Sequence, residues 1–332
     1  MSTIEVEGLV KVYPGGTRAV DEVTFKVGGG EFFGFLGPNG AGKTTTIRIL
    51  ATLLRATAGQ ARVTGVDVAR DPATVRSRIG FAMQTVAIDP LATGRESLEI
   101  MGRLYRVPST GLRDRVADLL ALMGLTDVAD RKAGTYSGGM RRRLDLASAL
   151  VHQPAVLFLD EPTEGLDPQS RSALWDELRR IRGEGTTMFL TTHYMEEADA
   201  LCDRIAIIDR GRIVISGTPG ELKSSIGADT VDLRLVSDAG DGLLEAQDRV
   251  TQRLEGFGAL RSLERTDVGV RLAVTEASSA IPELFRRLEG DGVVIRALAM
   301  SKPTLADVFL RYTGREIRSE ATDQPIELGW WG

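Results

Sequence analysis

The stretch that most constrains the fold is Gly37-Pro38-Asn39-Gly40-Ala41-Gly42-Lys43-Thr44-Thr45. An apolar run at 32–36 predicts a buried strand before it, and residues 46–54 predict a helix after it. Strand, glycine-rich turn and Gly-Lys-Thr at a helix start form the pattern of a phosphate-binding loop, in which Lys43 reaches the outer phosphates and the Thr44 hydroxyl holds Mg²⁺. Glycines let several backbone N–H groups point at one anion, and the helix N-terminus adds partial positive charge. The alternative, a flexible glycine-rich turn, does not explain the Lys-Thr pair.

The composition of the chain limits the functions that nucleotide binding could serve. The chain has 332 residues, 42% of them hydrophobic and 26% charged, which suits one large or two moderate globular domains. The net charge of −5 offers no basic footprint for nucleic acid. A single cysteine, Cys202, excludes an intramolecular disulfide. No window approaches the ~18 consecutive apolar residues of a membrane span, so another chain would have to supply any crossing.

The first third of the chain predicts a nucleotide-binding α/β core. Strands at 4–9 and 20–27 predict a small antiparallel sheet beside the nucleotide. Tyr13, between them, is placed to stack on a base, although a half-buried tyrosine at a strand end is the simpler alternative. A buried strand at 79–84 ends in Gln84, where an open α/β sheet presents its ligand crevice.

Residues 85–150 change to helical periodicity and predict a helical subdomain. At its end, Ser137-Gly138-Gly139 opens a helix. This turn is a candidate second anion site, because unpaired N–H groups and the helix dipole point out of it. Taken alone, the residues favour the alternative, in which Ser137 is an N-cap and the glycines are a linker.

Further acidic and polar residues follow predicted strands. An apolar run at 156–159 is closed by Asp160 and Glu161 and reads as a central parallel strand. Asp160 can hold Mg²⁺ through its water shell, and Glu161 is suited to polarise a water that attacks the terminal phosphate. Another predicted strand, 186–193, ends in His193.

Together, in this order and spacing, these motifs resemble the ATP-binding subunit of an ABC transporter over about residues 3–225. The segments 135–145, 160–162 and 164–168 resemble the daunorubicin-resistance type of drug-exporter ATPase most closely, as does the folded C-terminal extension. The resemblance implies a P-loop NTPase fold of the ABC ATPase type, α/β with a mixed sheet core, an antiparallel β subdomain and a helical subdomain. It also implies an ATPase on the cytoplasmic face of the cell membrane that powers export of an antibiotic, drug or lipid-like amphiphile through a separate integral membrane permease.

The resemblance also assigns roles to individual residues. Tyr13 would stack on adenine, and Lys43 with the loop amides would hold the phosphates of ATP. Mg²⁺ and the attacking water would be organised by Thr44, Gln84 and Asp160. Glu161 would be the general base, and His193 would contact the terminal phosphate. Ser137, Gly138 and Gly139 would cover ATP bound to a second subunit, with Asp167 bridging that dimer.

One phosphate loop and one Ser-Gly-Gly turn per chain imply that each ATP needs two copies of the domain, most simply a homodimer. The alternative is a soluble ABC-type ATPase of DNA repair or translation, for which long coiled coils, a second ATP domain or a basic surface would be expected. Two positions depart from the common pattern. Met140 stands where many members have Gln, a departure that the drug-exporter branch shares, and Glu164 stands where Thr is usual.

The remaining sequence predicts a second domain. We expect the ATP-binding domain to occupy 1–227, a small βαββαβ domain of ferredoxin-like α+β type 228–314, and a tail 315–332 ending near Trp330-Trp331. The small domain has no clustered ligands and few aromatic residues. Its predicted role is to stabilise the dimer or to dock on a partner.

Overall fold

A computed structural model describes residues 2–227, 229–236, 242–289 and 293–314. The chain divides into two compact units, the first comprising the described residues up to Pro219 and the second running from Gly220 to Gly314. The predicted tail with Trp330-Trp331 lies outside the described residues.

The strands, in chain order, are β1 Ser2–Val12, β2 Arg18–Gly28, β3 Phe32–Leu36, β4 Ala58–Val63, β5 Val66–Asp67, β6 Ile79–Ala82, β7 Val156–Asp160, β8 Thr187–Thr192, β9 Arg204–Asp209, β10 Arg212–Gly217, β11 Asp229–Val236, β12 Leu260–Thr266, β13 Gly269–Val274 and β14 Val294–Ser301. The α-helices are α1 Lys43–Leu50, α2 Pro72–Arg78, α3 Gly94–Leu104, α4 Ser109–Leu122, α5 Gly138–Leu150, α6 Pro168–Gly183, α7 Met195–Leu201, α8 Pro219–Ser225, α9 Gly242–Arg253, α10 Ala277–Leu288 and α11 Leu305–Thr313.

The centre of the first unit is a six-stranded sheet in the order β10-β9-β3-β8-β7-β6. Strands β9, β3, β8, β7 and β6 run parallel, and β10 pairs antiparallel with β9 at one edge. The central strands β3, β7 and β8 are buried along their whole length, which explains why their sequences are continuous apolar runs rather than alternating patterns. The mixed sheet core predicted from sequence is confirmed.

A second sheet of the first unit, in the order β2-β1-β4-β5, is antiparallel. Its inner side chains share one hydrophobic core with the central sheet. Phe25 of β2 stacks on Phe33 of β3 with ring centroids 5.4 Å apart, and Phe189 of β8 lies 5.7 Å from both. This aromatic cluster fixes the antiparallel sheet beside the strand that leads into the phosphate loop.

The helical subdomain consists of α3, α4 and α5 and packs through a buried leucine-rich interior. The helix α3 begins with a capping box, in which the Thr93 hydroxyl accepts from the Glu96 amide and the Glu96 carboxylate accepts from the Thr93 amide. Such reciprocal capping fixes the point where the chain enters the subdomain.

The described residues of the second unit form one antiparallel sheet in the order β12-β13-β11-β14. The helices α9 and α10 lie between its strands in the chain, so the element order is βαββαβ, as predicted. Its core is a separate hydrophobic cluster that includes Val231, Leu233, Leu272 and Leu284. The predicted ferredoxin-like C-terminal domain is therefore confirmed.

Close packing marks the centre of the sheet. A Cβ built on Gly34 of β3 would lie only 2.6 Å from the Sγ of Cys202, so glycine leaves room for that buried thiol. Burial raises the pKa of Cys202 well above its usual range. Among the described residues, no helix has the length and apolar character needed to cross a membrane.

Candidate active site

The candidate site lies where the carboxyl ends of four parallel strands meet. Strand β3 leads into Gly37, β6 into Gln84, β7 into Glu161 and β8 into His193. Because β3, β8, β7 and β6 are consecutive neighbours in the sheet, the segments that follow them project from one edge. That edge is where open α/β sheets bind ligands.

The phosphate loop itself has the backbone shape that an anion site requires. Gly40 and Gly42 have φ values of 78° and 105°, in the left-handed region that favours glycine. A Cβ on Gly42 would lie 2.3 Å from the carbonyl oxygen of Ala19, so the loop packs against β2 without room for a side chain. Gly42 is also the N-cap of α1 and supplies no side-chain cap, which leaves the first amides of that helix available to a ligand.

Lys43 is buried and points back into the loop. Its Nζ donates to the carbonyl oxygens of Gly37 at 2.7 Å and Pro38 at 3.0 Å, and lies 3.1 Å from the Oε1 of Glu161. All three ammonium hydrogens therefore have partners. Burial lowers the pKa of Lys43, while the Glu161 carboxylate acts in the opposite direction.

Glu161 is held from both sides. Its Oε2 lies 3.0 Å from the Nδ1 of His193, opposite the contact with Lys43. Burial alone would raise the pKa of Glu161, but the hydrogen bond with His193 and the charge of Lys43 outweigh it, so the pKa is lowered and the carboxylate stays ionised. The backbone of Glu161 has a φ of 48°, which is unusual for a residue with a Cβ and marks a strained position at a candidate site.

Asp160 and Thr44 provide neighbouring oxygen atoms. The Thr44 hydroxyl donates to Oδ1 of Asp160 at 3.1 Å, and the Thr191 hydroxyl of β8 donates to the same oxygen at 2.6 Å. Burial raises the pKa of Asp160, and the two hydroxyl donors oppose that rise. The pair thus presents a carboxylate and a hydroxyl at the start of α1.

Gln84 is the predicted site residue whose side chain is directed elsewhere. Its Nε2 donates to Oε2 of Glu164 at 2.5 Å, and both side chains are exposed. The residue that departs from the common pattern therefore binds the amide that we expected at the metal. The described structure shows Gln84 on Glu164 rather than on Thr44 or Asp160.

Tyr13 approaches the loop from the antiparallel sheet. Its hydroxyl lies 3.3 Å from the Thr45 hydroxyl, and the Lys11 ammonium sits 5.4 Å from the centroid of its ring. One ring face therefore carries a cation, and a stacked base would use the other face.

Ser137, Gly138 and Gly139 form the start of α5. The Ser137 side chain accepts from the Met140 amide at 3.2 Å and is the N-cap of this helix. A Cβ on Gly139 would lie 2.8 Å from the Ser170 Oγ, and that hydroxyl donates to Asp167 at 2.6 Å. Within one chain, the Ser-Gly-Gly turn therefore lies beside the N-terminal turn of α6 that Asp167 caps.

The groups at this site fit a nucleoside triphosphate and a hard divalent cation. The loop offers uncapped helix amides and a buried ammonium, which suit phosphate oxygens. Thr44 and Asp160 offer oxygen ligands of the kind that Mg²⁺ prefers, and phosphate oxygens and water would supply the rest.

Sequence reasoning missed the buried charge of Arg142 in α5, which is only 5% exposed. It stands four residues before Leu146 and seven before Ala149, both buried, so it falls on the apolar face of its helix. A charged residue on an apolar stripe was the available signal.

The loop, the strand-end acids and the histidine define a nucleotide-hydrolysing enzyme of the P-loop class. A family model described as ABC transporter matches residues 20–164, and one described as ATP-binding protein DrrA1-3-like, C-terminal domain, matches residues 217–313. The daunorubicin/doxorubicin resistance ATP-binding protein DrrA of Streptomyces peucetius is 47% identical, covering 98% of this chain and 96% of that protein. The linearmycin resistance ATP-binding protein LnrL of Bacillus subtilis is 33% identical, covering 95% and 99%.

Solved structures agree in fold. The chain superposes on CbiO1 from Clostridium perfringens, part of the ABC transporter complex CbiONQ, with a TM-score of 0.63 and 27% identity, covering 67% of this chain and 91% of that one. A dimeric, post-hydrolysis ATP-binding cassette bound to ADP and Pi gives a TM-score of 0.59 and 26% identity, covering 65% and 98%. The chain belongs to the ABC transporter ATP-binding proteins, in the branch of the daunorubicin-resistance ATPases, and is an ATP-hydrolysing enzyme.

Proposed function

We propose that this chain is the ATPase subunit of an exporter of antibiotics, drugs or lipid-like amphiphiles, acting as a dimer through a separate integral membrane permease. The observation that carries the proposal is the near full-length similarity to resistance ATP-binding proteins, which includes the C-terminal unit. Membrane association would come through the permease, on its cytoplasmic face.

The contacts of Lys43 suggest how the loop would bind ATP. In the structure its charge is paired with Glu161, buried at the base of the loop. An incoming terminal phosphate would compete for the same ammonium and weaken the pair. Binding would thus release Glu161 from its cationic partner at the moment when a substrate is present.

Glu161 would then act as the general base. The hydrogen bond with His193, which lowers the pKa of Glu161, keeps the carboxylate ionised at neutral pH, so that it can take a proton from a water molecule. The water oxygen attacks the terminal phosphorus, the bond from that phosphorus to the bridging oxygen breaks, and ADP leaves with inorganic phosphate. His193 holds the carboxylate in place at 3.0 Å and would contact the terminal phosphate.

Mg²⁺, when bound, would neutralise charge on the phosphate oxygens, with Thr44 and Asp160 as its protein ligands. Gln84 would have to leave Glu164 to join them. Tyr13 would stack on adenine with the ring face opposite Lys11.

The second half of each ATP site would come from another copy of the chain. The uncovered backbone of Gly138 and the turn beside Asp167 form one face of the domain, suited to close over a partner's nucleotide. A solved relative that is dimeric and bound to ADP and Pi supports this arrangement.

The proposal is tested in a drug-sensitive bacterial host that co-expresses the full chain and its candidate permease. Daunorubicin serves as the probe, and the Glu161→Gln chain is the control. We expect wild-type cells to accumulate less drug than control cells, and the tagged chain to co-purify with the permease in detergent. Equal accumulation in both strains across a panel of amphiphilic antibiotics would contradict export.

A further inference from the structure

Arg142 makes an unusual set of contacts for a charged residue inside a helix. Its Nε donates to the carbonyl oxygen of Pro162 at 2.7 Å, and its Nη2 lies 3.4 Å from the carbonyl oxygen of Asp160. These two carbonyls flank Glu161 on either side. The Nη1 donates to the carbonyl oxygen of Met83, the residue immediately before Gln84.

A second residue of α5 lies beside the same loop. Asp145, one turn further along, contacts Arg142 at 3.4 Å, and the backbone amide of Ala87 acts to lower the pKa of its carboxyl. The segment around Gln84 is therefore bound by the Arg142 guanidinium at Met83, and its Ala87 amide acts on the Asp145 carboxyl. Both side chains come from the helix that begins at the Ser-Gly-Gly turn.

The chemistry of this position demands arginine. Three backbone carbonyls converge on one side chain, and only the planar guanidinium has donors spread widely enough to reach all three. A lysine would place one compact charge there and leave carbonyls unpaired. A buried cation is stable only when it is paired and hydrogen-bonded, so these contacts hold Arg142 in place, and their loss would loosen the segments that they join.

We propose that Arg142 is a positioning residue that fastens the Ser137-to-Gly139 turn to the segments that carry Gln84 and Glu161. The inference rests on the proposed dimer, in which one chain's turn covers its partner's ATP while its Glu161 acts on its own. Arg142 then links the two ATP sites of the dimer, because displacement of α5 at one site moves the base at the other. The link acts through backbone positions and involves no contact with nucleotide.

The test compares purified full-length wild type, Arg142→Gln, Arg142→Lys and the matched control Arg143→Gln, each with the permease. Arg143 is the next residue of α5, and its Nη1 donates to the single carbonyl of Met123 within the helical subdomain. MgATP hydrolysis gives kcat, KM and the Hill coefficient, and a fluorescent ATP analogue gives binding. Thermal unfolding reports on global stability.

We expect Arg142→Gln to lower kcat at least tenfold with analogue affinity within threefold of wild type, and to bring the Hill coefficient towards one. Arg142→Lys retains the positive charge but lacks the spread donors of the guanidinium. We therefore expect it to recover less than half of the kcat that Arg142→Gln loses. Arg143→Gln should keep kcat and cooperativity within twofold. If Arg142→Gln precipitates, Arg142→Lys carries the test.

The inference is overturned if both Arg142 variants keep wild-type kcat and cooperativity, or if Arg143→Gln loses them equally. It is also overturned if Arg142→Lys restores the full rate, since charge alone would then suffice. Failure of the proposed dimer is a separate result, because wild type itself would then hydrolyse MgATP without cooperativity, and failure of export is measured by drug accumulation.

Discussion

Replacing Glu161 with Gln should do two things that separate in experiment. The variant loses the base that accepts a proton from water, so hydrolysis should fall by about two to four orders of magnitude, the range that a general base contributes. It also removes the anion that pairs with Lys43 in the structure. ATP should therefore bind more tightly as it hydrolyses more slowly.

The size of the binding effect follows from the buried ion pair. The Lys43 Nζ and Glu161 Oε1 lie 3.1 Å apart, and at an effective dielectric constant of about 20 this corresponds to about 5 kcal/mol of Coulomb attraction. A Gln amide oxygen would keep a hydrogen bond to the ammonium, worth about 1.5–3 kcal/mol. The difference between the Coulomb attraction and this hydrogen bond no longer competes with ATP for Lys43. If half of that difference adds to the free energy of ATP binding, ATP affinity rises about tenfold.

The assay is equilibrium binding of a fluorescent ATP analogue beside steady-state hydrolysis. Glu164→Gln is the matched control, because it also removes one negative charge close to the loop but breaks no contact with Lys43. We expect its analogue affinity to rise less than threefold. Unchanged or weaker ATP-analogue binding by Glu161→Gln would refute the idea that Glu161 holds Lys43. Residual turnover above a tenth of wild type would refute the assignment of Glu161 as the general base.

Three further predictions concern other parts of the chain. Glu164→Thr frees the Gln84 amide, so hydrolysis should stay intact or rise; a large fall in kcat would show that the carboxylate is used productively. Burial raises the pKa of Asp145 from 3.8 to about 6, so between these pH values the native carboxyl holds a proton that the unfolded chain has lost. The free energy of unfolding therefore falls as pH rises through this range, by about 3 kcal/mol in full and by about 2 kcal/mol between pH 4.5 and pH 7.5. Asp145→Asn should lack this loss, and urea unfolding of both proteins at pH 4.5 and 7.5 measures it; equal pH dependence would contradict it. A chain ending at residue 227 should show weaker ATP-dependent dimerisation or transport, and sedimentation and drug-efflux assays that show neither would remove the proposed role of the C-terminal unit.

The sequence predicted those parts of the molecule that local patterns encode. The phosphate loop is a contiguous motif, and continuous apolar runs identify β3, β7 and β8 because parallel strands are buried on both faces. The βαββαβ order of the second unit also follows from alternating patterns. These features depend on neighbours in the chain, and sequence periodicity reports neighbours well.

Local sequence patterns could not predict contacts between segments that are distant in the chain. The Lys43–Glu161 pair joins residues from two strand ends, and its existence depends on β8 separating β3 from β7 in the sheet. The hydrogen bond from Gln84 to Glu164 joins residues that are 80 positions apart in the sequence. Arg142 is the middle residue of three consecutive arginines, which are alike in sequence and differ only in the face of α5 that each occupies.

The packing of Cys202 against Gly34 gives the protein a built-in reporter of its own opening. The chain has one thiol, and it lies behind the strand that enters the phosphate loop, with its ionisation suppressed by burial. Cys202 caps α7 and packs on Gly34 of β3, so a thiol reagent gains full access to it when this packing opens. The labelling rate, compared with that of the unfolded chain, therefore measures the free energy of that opening. Nucleotide that stabilises the closed core should slow labelling in proportion to its binding, with no engineered probe.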